Sequence, residues 1–476
     1  MRILWMKLPL LALGLGLFLA PLQAVEFRAG AATSNITPEL GSSINGGFQD
    51  GTAAYIHDEL HARCLALDDG KTRLVMVVAD SCVIGRGIFD EAKMLVHKAT
   101  GLPETNMMMS ATHSHSCGTL QAVGQSEPSP VYQKFVARRI ADGVRRALNN
   151  LAPARIGLGS AQVPHQVFNR RWRMKPGSIP PTPLGVTTDQ VKTNPGVRNP
   201  GLLEPAGPTD PEVGFISVQH LDGRPLALLA NYSLHYVGGV GPGHISADYF
   251  GAFAGKMARL LGAGQQEPPF VGIMSNGTSG DINNIDFRGS QAKEGPYGRI
   301  QIVANEVAQA VADAVKSVKH HDWVPLTVAQ KEVTLGLRLP GKEEVEKARA
   351  VMKQSKLFPR METMEQVYAR ETVLLADFPP TVSAPLQVMK IGDLHVSAIP
   401  AEVFVEIGLE LKKRHAPTFT VSLANAYHGY LPTPEHHRLG GYETWRARSS
   451  CLEVDASTKI VAGLEELFQQ LHQRAE

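Results

Sequence analysis

Ser110-Ala111-Thr112-His113-Ser114-His115-Ser116 decides how this chain is read. It follows a short apolar run, 105–109, that reads as the end of a buried strand. Histidines at i and i+2 of an extended chain point to one side. At a strand end such a pair can grip a metal ion or an oxyanion. An isolated His-x-His also occurs as a pair of ordinary polar loop residues, since a motif match is only a hypothesis. The rest of the chain has to decide.

Working outward, residues 72–79 (Thr-Arg-Leu-Val-Met-Val-Val-Ala) form a continuous β-branched and apolar run, the pattern of a strand covered on both faces. It ends on Asp80. An amphipathic helix is expected over 88–100, closed by Gly101, then a strand at 106–109 and a helix at 131–148. This alternation predicts an α/β fold. Further strands are expected at 213–220 and 226–234, paired through the Asp222-Gly223 turn, and at 269–275, 326–337, 385–391, 394–399 and 418–424. Helices are expected at 249–261 and 299–318, at 342–353 and 361–375 (charged and peripheral), and at 456–473. Gly238–Gly243 reads as a plain turn, because it lacks the Gly-Lys-Ser/Thr ending of a phosphate loop. Residues 173–210 are rich in Pro, Gly, Thr and Asn and read as an irregular insertion, a lid or substrate wall. With no repeat and no clear linker, the expectation is one large domain over 25–476.

Composition narrows the classes. The chain has 476 residues, 43% hydrophobic and 19% charged, enough for a sizeable core. Arg2 and Lys7, the apolar stretch 8–19, Pro21 and Ala24 read as a secretory signal peptide over 1–24, cleaved after Ala24. The mature chain is then secreted or periplasmic, with no transmembrane segment. Without Arg2 and Lys7, 45 of the 47 basic residues remain, matching 45 acidic ones. A neutral chain gives no electrostatic case for nucleic acid. Cys64, Cys82, Cys117 and Cys451 form no Cys-x-x-Cys pair, which excludes a zinc knuckle, while export permits disulfides.

Polar residues recur just past strand ends: Asp80, His113 and His115, His235, Asn276 to Asp281, Glu402 and Tyr430. In α/β sheets the ligand crevice lies outside the carboxyl ends of the strands, so these residues converge if their strands share a sheet. One at a time, each also fits an ordinary turn residue. Two histidines and a carboxylate make a familiar catalytic zinc set with room for water. His113, His235 and Glu402 could supply it, with a tyrosine oxygen as a weaker fourth ligand. Imidazole with carboxylate suits zinc better than calcium or magnesium.

Six segments together resemble one family, the neutral (non-lysosomal) ceramidases. They are Ala111-Thr112-His113-Ser114-His115-Ser116, Phe168-Asn169-Arg170, Asn231-Tyr232-Ser233-Leu234-His235, Asn276 to Asp281, Pro400-Ala401-Glu402, and the run Tyr427-His428-Gly429-Tyr430-Leu431-Pro432-Thr433-Pro434-Glu435 with Gly441-Tyr442-Glu443. The resemblance runs from about Ala29 to Tyr442. It implies one Zn2+ per chain held by His113, His235, Glu402 and Tyr430. His115 would hold or protonate the substrate carbonyl, Arg170 would act as an electrostatic clamp, and Tyr442 would hydrogen-bond substrate. The implied activity is hydrolysis of an N-acyl bond, as in ceramide, by zinc-activated water. It belongs to sphingolipid metabolism, and the implied partner is a small-molecule or lipid-like N-acyl substrate.

The chain departs from the family in several places. The family's Gly-Asp-x-Ser-Pro-Asn reads Gly280-Asp281-Ile282-Asn283-Asn284-Ile285 here, so Asn283 stands at the serine position, able to donate a hydrogen bond but not to act as a nucleophile. The family's immunoglobulin-like C-terminal domain is not expected before Glu476. The 173–210 segment would remodel the pocket rim. Aromatic residues are 6%, and no apolar patch for extracting a membrane lipid is evident. Cys117 and Cys451 fall in loops that flank the family's site, which implies a disulfide between them. Two alternatives stay open beside the amidohydrolase: a zinc hydrolase of the same fold acting on an ester, lactone or glycan-type substrate, and a non-catalytic binding protein that kept its metal.

Overall fold

Alternation along single strands sets the layers. In the strand His61–Asp68, Ala62, Cys64 and Ala66 turn to one core while Leu65 and Leu67 turn to another. In Arg73–Ala79, Val75, Val77 and Ala79 face the first core and Leu74, Met76 and Val78 the second. Strands apolar on both faces need cover on both.

The structure, a computed structural model, describes residues 26–290 and 294–473, so the expected leader at 1–24 lies outside the described residues. The main sheet has eight strands. They are β1 (Arg28–Asn35), β2 (His61–Asp68), β3 (Arg73–Ala79), β4 (Met107–Ala111), β5 (Ala152–Gln162), β6 (Glu212–His220), β7 (Pro225–Tyr232) and β8 (Val271–Asn276). Their spatial order is β8-β7-β6-β5-β1-β2-β3-β4. Neighbours are antiparallel except at the two ends, where β7 with β8 and β3 with β4 are parallel. A second sheet follows as β9 (Leu326–Gly336), β10 (Thr381–Ile391), β11 (Leu394–Ala398) and β12 (Thr418–Val421).

The helices are α1 (Arg86–Thr100), α2 (Pro130–Asn149), α3 (Asp248–Leu260), α4 (Gly298–Val315), α5 (Lys342–Met352), α6 (Met364–Leu375), α7 (Val405–His415) and α8 (Ala456–Gln473), with a short helix at Pro434–Leu439. Helices α1 to α4 cover the outer face of the main sheet. The sheets pack on each other through Leu65, Met76, Ile216, Leu229, Met389, Val396 and Phe419. Helices α7 and α8 cover the outer face of the second sheet. The result is the expected mixed α/β domain, in four layers.

The strand ends that carry polar residues belong to two sheets rather than one. They meet because the chain leaving β12 runs between the two edge strands of the main sheet. Ser422 N–H donates to the Asn276 carbonyl at 3.0 Å, Ala111 N–H to Leu423 at 3.2 Å, and Asn425 N–H to Met109 at 2.7 Å.

Three expectations need correction. The 173–210 insertion is not wholly irregular: Arg171–Met174 pairs with Val191–Thr193 and Leu202–Pro205 over Trp172, Met174 and Phe287. Helix α6 is not simply peripheral, since it buries Tyr368 and Glu371. The Cys117–Cys451 disulfide is not formed, and all four cysteines are free and buried. Cys117 Sγ turns to the Ser246 carbonyl and Cys451 Sγ to that of Arg448. Among the described residues no helix is long and apolar enough to cross a membrane.

Candidate metal centre

Past β4 the chain is steered by its neighbour β3. Thr112 N–H donates to the Ala79 carbonyl and His113 N–H to that of Ser81. His113 then takes a φ of 74°, a conformation that costs a non-glycine residue energy and tends to persist at functional sites. The pair His113 and His115 is therefore not on extended chain, yet the two rings still converge, with Nε2 atoms 3.1 Å apart. His235 arrives from the end of β7, its Nε2 3.0 Å from that of His113. Glu402 comes from the second sheet, with Oε2 3.2 Å from His113 Nε2 and 3.9 Å from His235 Nε2. A short parallel ladder pairs Glu402 with Tyr430 and sets the two side by side.

The tautomers follow from what the rings touch. His113 Nδ1 lies 2.9 Å from the Cys82 carbonyl and His235 Nδ1 2.9 Å from that of Ser279. A carbonyl only accepts, so both Nδ1 atoms carry the proton and both Nε2 atoms offer a lone pair. The His115 ring donates to the Gly46 carbonyl. Burial, reinforced by neighbouring Arg170 and His113, pushes His235 well below its ordinary range; burial, then His113 and Arg170, do the same to His115. Burial alone would raise Glu402, but His113 and Arg170 outweigh it and hold it below the usual carboxylate range. Its Oε1 accepts from the Tyr427 hydroxyl at 2.8 Å, while buried Oε2 has no hydrogen-bond partner.

Lone pairs on clustered imidazoles beside an undonated carboxylate oxygen repel one another unless a cation sits among them. The donor spacings match those around a four-coordinate ion with bonds of about 2.0–2.1 Å. The donor set thus fits a metal ion. His113, His235 and Glu402 form a buried metal-capable group.

Arg170 closes the back of the site. Its guanidinium reaches Glu443 Oε1 at 3.0 Å, the Gly280 carbonyl at 2.7 Å, the Tyr430 hydroxyl at 3.1 Å and His235 Nε2 at 3.2 Å. Glu443 is fully buried and bridges Arg170 to Arg171, whose Nη1 donates to Oε2 at 2.7 Å. The following turn places Tyr442 against Tyr430, ring centroids 5.6 Å apart, and against Phe48 at 5.8 Å. Burial, with Glu402 nearby, raises both tyrosines above their ordinary range, so both are neutral phenols here.

Of the residues singled out from sequence, His113, His115, His235, Glu402, Arg170, Tyr430 and Tyr442 come together. Asn283 is committed elsewhere: its Nδ2 donates to Asn194 Oδ1 at 2.8 Å and its Oδ1 accepts from Ile285 N–H at 3.0 Å. Asp80 is buried in an ion pair with Arg63 at 2.6 Å, and Asn276 Oδ1 accepts from the Ser279 hydroxyl. Sequence reasoning missed Tyr427, Glu443 and Tyr236. The first two lie inside quoted motifs, whereas nothing local marks Tyr236. A cavity of about 1070 Å³ opens between the sheets beside Phe215, Phe419 and Lys413, and none of the site residues line it.

Layers of helix, sheet, sheet and helix with this cluster at the strand ends define an α/β fold bearing a candidate metal centre. More narrowly, the fold is that of the neutral ceramidases. The neutral ceramidase from Pseudomonas aeruginosa superposes with a TM-score of 0.71 over 94% of this chain and 75% of that one, at 17% identity. A ceramidase complexed with C2 gives 0.70 over 94% and 76%, at 16% identity. No protein-family model matches the chain.

Proposed function

We propose that the protein is an exported zinc-dependent hydrolase that cleaves an N-acyl amide bond. The observation that carries this is the undonated Glu402 Oε2 facing the Nε2 lone pairs of His113 and His235. The shared fold with ceramidases supports an amide as the substrate class. His113, His235 and Glu402 would hold the zinc, with Tyr430 as the fourth protein donor. When bound, zinc supplies a Lewis acid and acidifies a water toward neutral pH.

The chain's own groups do the rest. His115, partly exposed and with its Nε2 3.1 Å from that of His113, would take a proton and return it to the leaving amine. Arg170, kept cationic by Tyr430, Glu443 and Glu402 despite its burial, would stabilise negative charge developing on the acyl oxygen. Tyr442 would line the pocket at its rim. Asn283 would hold the insertion through Asn194 rather than contact the reacting atoms.

The engagement of Asn283 favours one second reading, the same zinc chemistry on an ester, lactone or glycan-type bond. The test is metal analysis of the purified protein, followed by assay of short-chain N-acyl and O-acyl probes sharing one acyl group. Stoichiometric zinc with amine release supports the amidohydrolase. Zinc with ester cleavage alone moves the reading to the second class, and absence of bound metal overturns both.

A further inference from the structure

Tyr236 follows His235 directly, yet its ring leaves that histidine and lies face to face on His115, centroids 3.7 Å apart and 15° from parallel. Gly46 approaches the root of the same side chain: a Cβ there would sit 2.5 Å from the His115 Cβ, at a φ of 126° that favours glycine. The imidazole is thus stacked on a phenol ring and crowded at its root by a backbone segment, with its Nε2 3.1 Å from that of His113.

The hydroxyls of the site differ in what they do. Tyr427 donates to Glu402, Tyr430 accepts from Arg170, and Tyr442 accepts from Tyr430. Among the described residues the Tyr236 hydroxyl has no hydrogen-bond partner. The residue is partly exposed. It lies within electrostatic reach of Arg170 and Glu402.

We propose that Tyr236 is a two-part residue of the site: its ring positions His115, and its hydroxyl donates a hydrogen bond to the acyl oxygen of the substrate. The second half rests on the N-acyl hydrolase reading above. The resemblance gave a substrate hydrogen bond to Tyr442; the Tyr236 hydroxyl, on the ring stacked over His115, offers a second donor. A single hydrogen bond to an oxygen gaining charge affects rate more than ground-state binding.

Tyr236→Phe keeps the stacked ring and removes the hydroxyl; Tyr236→Leu removes both. For the phenylalanine variant, kcat on a short-chain N-acyl probe is expected to fall ~10-fold with KM nearly unchanged, with zinc content and Tm as in the wild type. For the leucine variant, modification of His115 by diethyl pyrocarbonate, located by peptide mass mapping, is expected to speed up several-fold, whereas Tyr236→Phe retains the wild-type rate. Wild-type kinetics in Tyr236→Phe would overturn the hydroxyl's role. Unchanged His115 reactivity in Tyr236→Leu would overturn the ring's role. If the wild type cleaves no N-acyl probe, the hydrolase reading and the hydroxyl's role fail together, and the modification rate still decides the positioning role.

Discussion

Glu402 Oε2 stands 3.2 Å from His113 Nε2, buried and without a hydrogen-bond donor, while the other oxygen of the same carboxylate is satisfied by Tyr427. One half of the carboxylate is held by the protein and the other half is left for a cation. We predict that His113→Ala, His235→Ala and Glu402→Gln each lose bound metal and lower activity by on the order of 1,000-fold. Chelation should also lower the Tm of the wild type, since a ligand binding only the folded state at 1,000 times its Kd stabilises it by about 4 kcal/mol. Elemental analysis and thermal melts with and without chelator check this. A chelator-insensitive Tm together with metal retained in Glu402→Gln would sink the assignment.

The Tyr427 hydrogen bond orients a metal-holding carboxylate, and loss of such outer partners weakens metal affinity by about 10–100-fold. Tyr427→Phe is expected to do this while remaining folded, at a cost of about 1 kcal/mol. Competition with a zinc-selective dye measures the affinity, and an unchanged value would show that Glu402 needs no such support.

Arg170 spans three partners that no ammonium group can reach together: Glu443, Gly280 and Tyr430. Arg170→Lys should therefore retain zinc and lose about 100-fold in kcat. Retention of kcat would mean that the guanidinium only neutralises buried Glu443.

What the sequence made legible, and what it hid, has a common physical reason. Strand β3 was readable because both its faces are buried in apolar cores and its residues say so without context. Strand β5 was missed because Gly157 and Gly159 weaken the strand signal. They are there because Val318 and Phe215 approach so closely that a Cβ would clash, at 2.4 and 2.5 Å. The metal-holding residues were found through motif order, but their meeting depends on the segment after β12 threading between β4 and β8, which no local pattern encodes. Tyr236 was invisible because its partner, His115, lies far away in sequence.

Asn283 stands at the family's serine position, yet its side chain ties Ile285 to Asn194 at the end of the Val191–Thr193 strand. Asn283→Ser should therefore gain no hydrolysis of ceramide and should loosen the insertion. The expected outcome is faster limited proteolysis within 175–205 for both Asn283→Ser and Asn283→Ala. A serine variant that gains ceramide hydrolysis over wild type would instead restore a direct role for this position.

Lys93 on α1 is 4% exposed, and its ammonium donates to Asn425 Oδ1 at 2.8 Å with no carboxylate in contact. Asn425 is the residue that joins the end of β12 to β4 through Met109. Burial pulls Lys93 down from 10.5 to about 8, a difference worth about 3 kcal/mol. The sign follows from proton counting. Below pH 8 the lysine is charged in both folded and unfolded states, and the full cost of burying the charge is present. Between pH 8 and 10.5 the unfolded chain binds more protons than the folded one, so this contribution to stability rises with pH. Above 10.5 the cost is gone. Lys93→Met keeps the packing and removes the charge, so it should be more stable than wild type at pH 7, with the advantage shrinking toward pH 10.5. Denaturant melts of both proteins across pH 7–10.5 measure it. A stability difference that stays constant over that window would mean that Lys93 keeps its charge when folded, compensated by Asn425 and the surrounding dipoles.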